Sequence, residues 1–375
     1  MRRSSVRSYC PAKTARPSET TRMKTTDLDY NLPKELIAQE PLADRDQSRL
    51  LVLHRETGRI EHRTFGDVAA YLGAGDLLVA NESRVIPARM YAHKADSGGK
   101  VELLLLRKTG ETQWIGLAGG ARTRPGTRLR MDTPTGPSDL TAEIVEAGKR
   151  GQRVIAFSEP VEAHFEELGH VPLPPYIHRR LDDPERYQTV YARSPGSAAA
   201  PTAGLHFTGD LILALRNDGV RMDFVTLHVG LDTFRPITED TIEEHAIHRE
   251  WCRLSPATAE AINRTKVLGR RVVGVGTTSV RVLETAARQG LLQTPDGTCP
   301  WRPVSPFEGF TDLYITPGFS FRAVDALITN FHLPQSTLLA LVMAFAGEQN
   351  IRRAYQAAID ERYRFFSFGD AMLII

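Results

Sequence analysis

Residues Val272-Val273-Gly274-Val275-Gly276-Thr277-Thr278-Ser279-Val280-Arg281 read as a buried strand, a glycine turn and the first turn of a helix. An apolar run without polar alternation suits a strand covered on both faces, as strands of parallel sheets are. Upstream, Pro256 to Leu268 has helical spacing, and downstream the helix continues from Val280 to Gln289, so the stretch is a βαβ-like succession. An α/β fold with a mixed, largely parallel sheet and flanking helices is expected. The turn lacks a Gly-Lys-Ser/Thr ending and a full Gly-x-Gly-x-x-Gly, which argues against a nucleoside-triphosphate loop and a dinucleotide fingerprint. Backbone N–H groups and hydroxyls at a helix N-terminus can hold a phosphate or carboxylate, so Gly276, Thr277, Thr278 and Ser279 are candidate ligand-binding residues. The plainer alternative is that Gly276 permits a tight turn and Ser279 caps the helix.

Working outward, the segments Leu50 to Leu53, Ile60, Phe65 to Leu72 and Leu77 to Ala80 continue the α/β pattern. On the far side follow a strand-like piece near Leu313, a strand Ala326 to Thr329, helices Ser336 to Ala346 and Ile351 to Arg362, and a last strand Ala371 to Ile375. Between about Arg84 and Phe157 the helical signals fade. Short β-like runs (Arg89 to His93, Val101 to Leu106, Gln113 to Leu117, Ala142 to Val145, Val154 to Phe157) alternate with turn residues, as in a small barrel. Helical spacing returns after Glu159, with helices expected at Val161 to Leu168 and Leu211 to Asp218, the second closed by Gly219. The expected organisation is a basic extension over residues 1–22, an α/β domain from residues 23–83 and 159–375, and an inserted β-barrel domain at 84–158.

The 375 residues include 47 Lys+Arg against 45 Asp+Glu, with 41% hydrophobic residues, a globular composition too long for one core. Residues 1–22 hold six basic residues and one acidic residue without apolar periodicity, so disorder is expected there. They lack the apolar core of a secretory signal. The remainder carries 41 basic and 44 acidic residues, yet Arg84 to Arg130 alone has ten basic against three acidic ones. A polyanionic partner would therefore be met locally, by Arg89, Lys94, Lys100, Arg122 and Arg124 among others. Cys10, Cys252 and Cys299 are too scattered for a disulfide framework or zinc cluster, and a reducing, intracellular setting is expected. Leu338 to Ala346 reaches about half of the ~20 residues a membrane-spanning helix needs; it reads as a buried helix.

Three histidines stand at strand-to-helix junctions: His206 in Pro201-Thr202-Ala203-Gly204-Leu205-His206-Phe207, His228 in Thr226-Leu227-His228-Val229-Gly230, and His332 in Thr329-Asn330-Phe331-His332-Leu333-Pro334. Ligands of open α/β sheets bind beyond the strand carboxyl ends, so these are candidate acid or base groups. Taken singly, each reads as a structural histidine; together they suggest a site. Ile242 to Glu250 contains His245 and His248 at a spacing that could chelate a metal on a helix, but without a His-Glu-x-x-His pattern or cysteine ligand. Solvated hydrogen-bonding residues are the better reading, and no metal is expected. Tyr363-Arg364-Phe365-Phe366-Ser367-Phe368 interleaves rings with charge, as base-stacking surfaces and ordinary cores both do.

These segments, with Asp29 to Pro33, Ile37 to Gln39, Ser48 to Leu51, Gly75 to Val79, Asn81 to Arg89, Gly98 to Glu102, Pro172 to Ile177, Tyr187 to Tyr191, Gly276 to Arg281 and Tyr363 to Met372, occur in the order found in S-adenosylmethionine:tRNA ribosyltransferase-isomerases. From about Thr26 to Ile375 the sequence resembles that family. The resemblance implies a cytoplasmic bacterial enzyme of queuosine biosynthesis with an α/β domain and a small β-barrel. Its substrates would be S-adenosylmethionine, consumed as co-substrate, and a tRNA carrying 7-aminomethyl-7-deazaguanine at the wobble position. The ribosyl part would be transferred and isomerised to an epoxycyclopentanediol, with adenine and methionine released. No bound cofactor, metal or membrane is implied, and a monomer is expected. Family members usually begin near Met23. Asp232, in Gly230-Leu231-Asp232-Thr233-Phe234, stands where the family is usually small and neutral, and Leu117 to Arg122 departs from the usual basic Pro-Gly run.

On this reading the sulfonium acidifies the adjoining 5′ carbon, where a base starts the elimination and an acid protonates the leaving purine, and His206 and His228 line this site, with His332 the third choice and the two roles left open among them. Gly276 to Ser279 would hold a polar end of the co-substrate, and Arg281 or Arg84 a carboxylate or phosphate. Two rivals are a non-enzymatic RNA-binding scaffold and a nucleotide-dependent metal enzyme using Glu243 to Glu250.

Overall fold

The computed structural model describes residues 23–133, 136–148, 151–230, 236–293 and 302–375. The expectations for residues 1–22, for Asp232 and for Cys10 and Cys299 lie outside the described residues. The strands are β1 (Arg49–His54), β2 (Arg59–Thr64), β3 (Leu77–Asn81), β4 (Ser83–Val85), β5 (Arg89–Lys94), β6 (Lys100–Lys108), β7 (Gln113–Ala118), β8 (Arg128–Thr133) and β9 (Gly136–Ala147). They continue with β10 (Gln152–Phe157), β11 (Ser194–Ser197), β12 (Arg221–Leu227), β13 (Glu250–Leu254), β14 (Val272–Val275), β15 (Phe307–Thr311), β16 (Ala326–Asn330) and β17 (Ala371–Ile374). The helices are α1 (Phe165–Leu168), α2 (Gly209–Asn217), α3 (Pro256–Val267), α4 (Thr277–Gln293), α5 (Thr337–Ala346) and α6 (Glu348–Asp360).

Nine strands form one mixed sheet in the order β15-β13-β12-β3-β14-β16-β17-β1-β2. Its heart, β12-β3-β14-β16, is parallel, and every residue of β3, β14 and β16 is buried. This matches the apolar runs, since such strands are covered on both faces. One face packs on α3, α4, α5 and α6 through residues such as Ile262, Leu283, Leu339 and Ile351. The other packs on α2 and a 3-10 turn, Phe65–Tyr71, through Phe65, Val68, Leu211 and Leu215. The edge strand β2 carries Arg59, Glu61, His62 and Arg63 and is mostly exposed, which discourages edge pairing with another chain. As expected, Gly219 follows α2 with φ +82°.

Strands β5 to β10 close on themselves in the order β10-β7-β6-β5-β8-β9, all antiparallel, a barrel without free edges. It has its own core, including Met90, Leu103, Trp114, Ile144 and Ile155. The chain leaves the sheet after β3 and returns through β11, and β4 pairs with β11 in parallel at this neck.

Some local expectations change. Leu313 is buried but not in a strand; the strand is Phe307–Thr311, and the Leu313 carbonyl instead accepts from Arg281 Nε at 3.2 Å. Val161 to Leu168 is a 3-10 turn followed by the four-residue α1. The charged stretch Glu243 to Glu250 is not a helix: a 3-10 turn ends at Glu244, and Glu250 opens β13.

Candidate functional site

The parallel strands all point their carboxyl ends at one crevice, where open α/β sheets bind ligands. Beyond β14 comes Gly276, whose φ of +86° turns the chain into α4 and whose N–H donates to the Ile328 carbonyl at 2.8 Å. A side chain there would be strained, which is why the turn needs glycine. Thr277 and Thr278 follow in the crevice wall, with the first amides of α4 at the positive end of its dipole. The Thr278 hydroxyl is buried without a partner among the described residues. Asn330, the last residue of β16, His332 just beyond it, and Val229, after β12, complete the strand-end side. Opposite them lie Tyr176 and Phe366, ring centroids 4.9 Å apart, with the Tyr176 hydroxyl 2.7 Å from Ser367 Oγ. The cleft holds about 640 Å³ of space, part of it open to solvent. Phe366 (φ +72°) and Gln335 (φ +54°), beside the cleft residue Ser336, both have left-handed backbones, strain of the kind that gathers at binding sites.

The three histidines do not converge. His332 lies in the cleft wall, its Nε2 2.8 Å from Thr329 Oγ1; its backbone N–H donates to Tyr355 Oη at 2.9 Å. Among the described residues no hydrogen bond reaches its Nδ1. Burial lowers its pKa to about 3, so the ring is neutral. His206 lines a smaller adjoining recess with Arg45, Ser48 and Phe368, and is stacked on Phe65 at 4.9 Å. Its Nε2 lies 3.3 Å from Asn330 Nδ2, a donor, and its Nδ1 lies 2.7 Å from Ser48 Oγ, whose proton goes to the Arg45 carbonyl at 3.2 Å. The ring is therefore an Nδ1–H tautomer with both nitrogens engaged, and burial lowers its pKa to about 4. Asn330 Oδ1 in turn accepts from Thr202 Oγ1 at 2.8 Å. The series Ser48–His206–Asn330–Thr202 thus ends on two cleft residues. His228 lies outside both cavities, stacked on Trp251 at 5.1 Å, with Nδ1 3.4 Å from Ser83 Oγ; burial lowers its pKa to about 4.

The polar residues expected beside the histidines divide in the same way. Gly276, Thr277 and Thr278 line the cleft. Ser279 is fully buried and donates to the Val275 carbonyl at 2.7 Å, so its hydroxyl is spent on the helix start. Arg281 does not reach the cleft: it is buried and ion-paired with Glu250, donating also to the Leu313 carbonyl. Burial acts to raise the Glu250 carboxyl, but Arg281 and His248 outweigh it and hold the pKa at about 2. Arg84 is ion-paired with Glu185 on the surface and lines neither cavity. On the barrel, Lys94 Nζ donates to the Ala121 carbonyl at 2.5 Å, which brings the loop with exposed Arg122 and Arg124 beside the β5–β6 hairpin that carries Lys100. Arg128 and Arg130 point outward from the neighbouring β8. Arg89 is set apart, paired with Glu102 at 3.0 Å near the neck.

Sequence reasoning did not single out Tyr176, Thr202, Thr329, Asn330, Ser336 or Phe366 as site residues. Tyr176, Thr202, Thr329, Asn330 and Phe366 fall in the ordered motifs Pro172 to Ile177, Pro201 to Phe207, Thr329 to Pro334 and Tyr363 to Met372, Phe366 also in the ring-and-charge run, and Ser336 reads only as the start of a helix. Among the described residues no group of three His, Cys, Asp or Glu side chains could hold a metal ion. His245 turns to Glu239 at 2.8 Å and His248 to Glu250 at 3.1 Å, because extended chain separates them. No helix among the described residues is long and apolar enough to cross a membrane.

The sequence profile of the family described as queuosine biosynthesis protein matches residues 25–374. The chain is 49% identical over 357 residues to the S-adenosylmethionine:tRNA ribosyltransferase-isomerase of Desulforamulus reducens, covering 94% of this chain and 100% of that one. It is 52% identical over 358 residues to the protein of the same description from Carboxydothermus hydrogenoformans, with the same coverage. Among solved structures, the S-adenosylmethionine tRNA ribosyltransferase of Thermotoga maritima is similar, at 41% identity with a TM-score of 0.52, covering 93% of this chain and all of that one.

Proposed function

Since the chain belongs to the queuosine biosynthesis family, we propose that it transfers and isomerises the ribosyl part of S-adenosylmethionine onto 7-aminomethyl-7-deazaguanine at the tRNA wobble position. The products are epoxyqueuosine-tRNA, adenine and methionine. The co-substrate occupies the cleft beyond β14 and β16. The observation that carries this reading is that one space joins a helix N-terminus, two aromatic rings and a neutral imidazole. The amides of Thr277 and Thr278 take the methionine carboxylate. Tyr176 and Phe366 flank the flat purine. His332 presents a lone pair at neutral pH because burial keeps it uncharged, as a group that accepts the 5′ proton must. A bound carboxylate in the same cleft favours the imidazolium that results, which then has a proton to return to the departing adenine. Thr329 fixes the ring through Nε2, leaving Nδ1 for the substrate. His206 serves by orienting Asn330 and Thr202 and does not itself exchange protons.

The tRNA backbone lies against Lys94, Lys100, Arg122 and Arg124, with Arg128 and Arg130 beside them. Replacing Arg122 and Arg124 lowers the salt slope of tRNA binding by about 0.7 to 0.9 per residue lost; an unaltered slope moves the RNA surface elsewhere. The enzyme works as a cytoplasmic monomer in this reading. It is tested by incubating the protein with S-adenosylmethionine and precursor-containing tRNA, without added metal, and measuring free adenine and methionine. RNA binding with no adenine release would leave a binding scaffold instead.

A further inference from the structure

His228 belongs to neither cavity, and its surroundings differ from those of the other two histidines. It follows β12, and its backbone N–H donates to the Trp251 carbonyl of β13 at 3.0 Å. Trp251 pairs directly with Phe310 of β15. Directly paired residues project from the same face of a sheet, so His228, Trp251 and Phe310 form one row across three strands. The His228 and Trp251 rings are stacked, 18° from coplanar. Phe310 is 41% exposed, on the edge strand of the sheet. Two exposed arginines stand over it: Arg249, 5.2 Å from the ring centroid, and Arg107, contributed by the barrel, at 5.8 Å. Neither arginine has a carboxylate partner among the described residues; Glu308, on this face, is 3.6 Å from Arg253, and Glu82 is paired with Arg193. A guanidinium stacked on a ring keeps its N–H edge free, which suits a phosphate. Val229, next to His228, is in the wall of the co-substrate cleft.

We propose that the row His228–Trp251–Phe310, with Arg107 and Arg249, is a platform for unpaired nucleotides of the substrate RNA, leading a loop from the barrel to the cleft. Sequence-tolerant binding of single-stranded RNA combines stacking rings with cations along the backbone, and this face has both. The free arginine edges favour a polyanion over an apolar partner. The proposal rests on the tRNA reading above.

The test uses the full-length protein and a synthetic RNA stem-loop with the anticodon-loop sequence, titrated over a range of salt, with S-adenosylmethionine binding measured by calorimetry. Phe310→Ala lowers RNA affinity about tenfold with the salt slope unchanged, because stacking releases no counterions. The double variant Arg107→Gln/Arg249→Gln lowers the affinity and reduces the slope by about 1.4, two single-strand phosphate contacts. Both variants keep the wild-type affinity for S-adenosylmethionine. If the wild type binds the stem-loop and all variants bind it equally well, the platform is wrong and the tRNA reading stands. If the wild type binds no RNA at any salt, both fall. A wild-type dimer in sedimentation that Phe310→Ala disperses, with RNA affinity unchanged, assigns the face to a second copy and overturns the proposal.

Discussion

The His206 tautomer makes a quantitative prediction about acid stability. In the unfolded chain this imidazole has a pKa of about 6.5; in the folded protein burial lowers it to about 4. The unfolded state therefore takes up the proton first as pH falls. Stability is unaffected by this group above about pH 6.5 and declines between there and about pH 4, where the native ring charges too. At pH 5 the unfolded ring is 1.5 units below its pKa while the native ring is still neutral, so His206 alone costs about 2 kcal/mol relative to pH 7. His228 and His332 are shifted in the same direction, whereas Glu284 and Asp370, both raised by burial, act oppositely in acid. Comparing wild type with His206→Gln cancels those shared contributions. The variant loses the stack on Phe65 and is less stable at every pH, but it has no imidazole to charge. Urea unfolding followed by circular dichroism at pH 7, 6 and 5 should show wild type losing about 2 kcal/mol more than the variant across that range. Parallel losses would refute the reasoning: His206 would then titrate like an exposed histidine, and its hold on Asn330 would go with it.

Other outcomes follow from the same geometry. His332→Ala should slow adenine release by about 10²- to 10⁴-fold while S-adenosylmethionine affinity changes by only a few fold, measured by product analysis and calorimetry; equal turnover would exclude the ring from the chemistry. Glu250→Ala leaves Arg281 buried and unpaired, at a cost of about 3–5 kcal/mol, and should lower Tm by roughly 5–10 °C; Glu250→Leu/Arg281→Met should recover much of it. Gly204→Ala puts a Cβ 2.0 Å from the Tyr191 hydroxyl. That crowding should cost about 3 kcal/mol in urea unfolding and, by displacing the Thr202 turn, impair adenine release more than RNA binding.

What the sequence made legible was whatever is local. The Val272 to Arg281 stretch is a strand, glycine turn and helix because its residues are apolar, then small, then helix-forming. The barrel strands were visible through alternation, as in β5, where Met90 and Ala92 are inward and Tyr91 is exposed. His332 stands at the strand end that its position suggested. The rest depended on distant partners. Glu250 sits in a charged run that reads as solvated, and its burial in β13 depends on Arg281, donating from distant α4, together with His248 and the Gly230 N–H. His206 has a strand-end address, but its ring turns away from the large cleft because Ser48 and Phe65, far earlier in the chain, take it. Tyr176 and Phe366 make one wall from segments 190 residues apart, a meeting that periodicity cannot report. Ser279 and Arg281 belong to the right helix, yet helical rotation aims them at the core.

The placement of β17 has a consequence for biosynthesis. This strand lies between β16 and β1, pairing with both, so the β1–β2 hairpin joins the nine-stranded sheet only through it. The Asp370 carboxylate that receives the Arg49 N–H is 321 residues from it in sequence. A chain emerging amino end first must hold the hairpin in waiting, its Leu50 to Leu53 run unpaired on one side, while the self-contained barrel folds ahead of it. The sheet can close only once β17 has emerged, and not when its first strands appear. Loss of β17 would strand the hairpin and expose an apolar edge to aggregation.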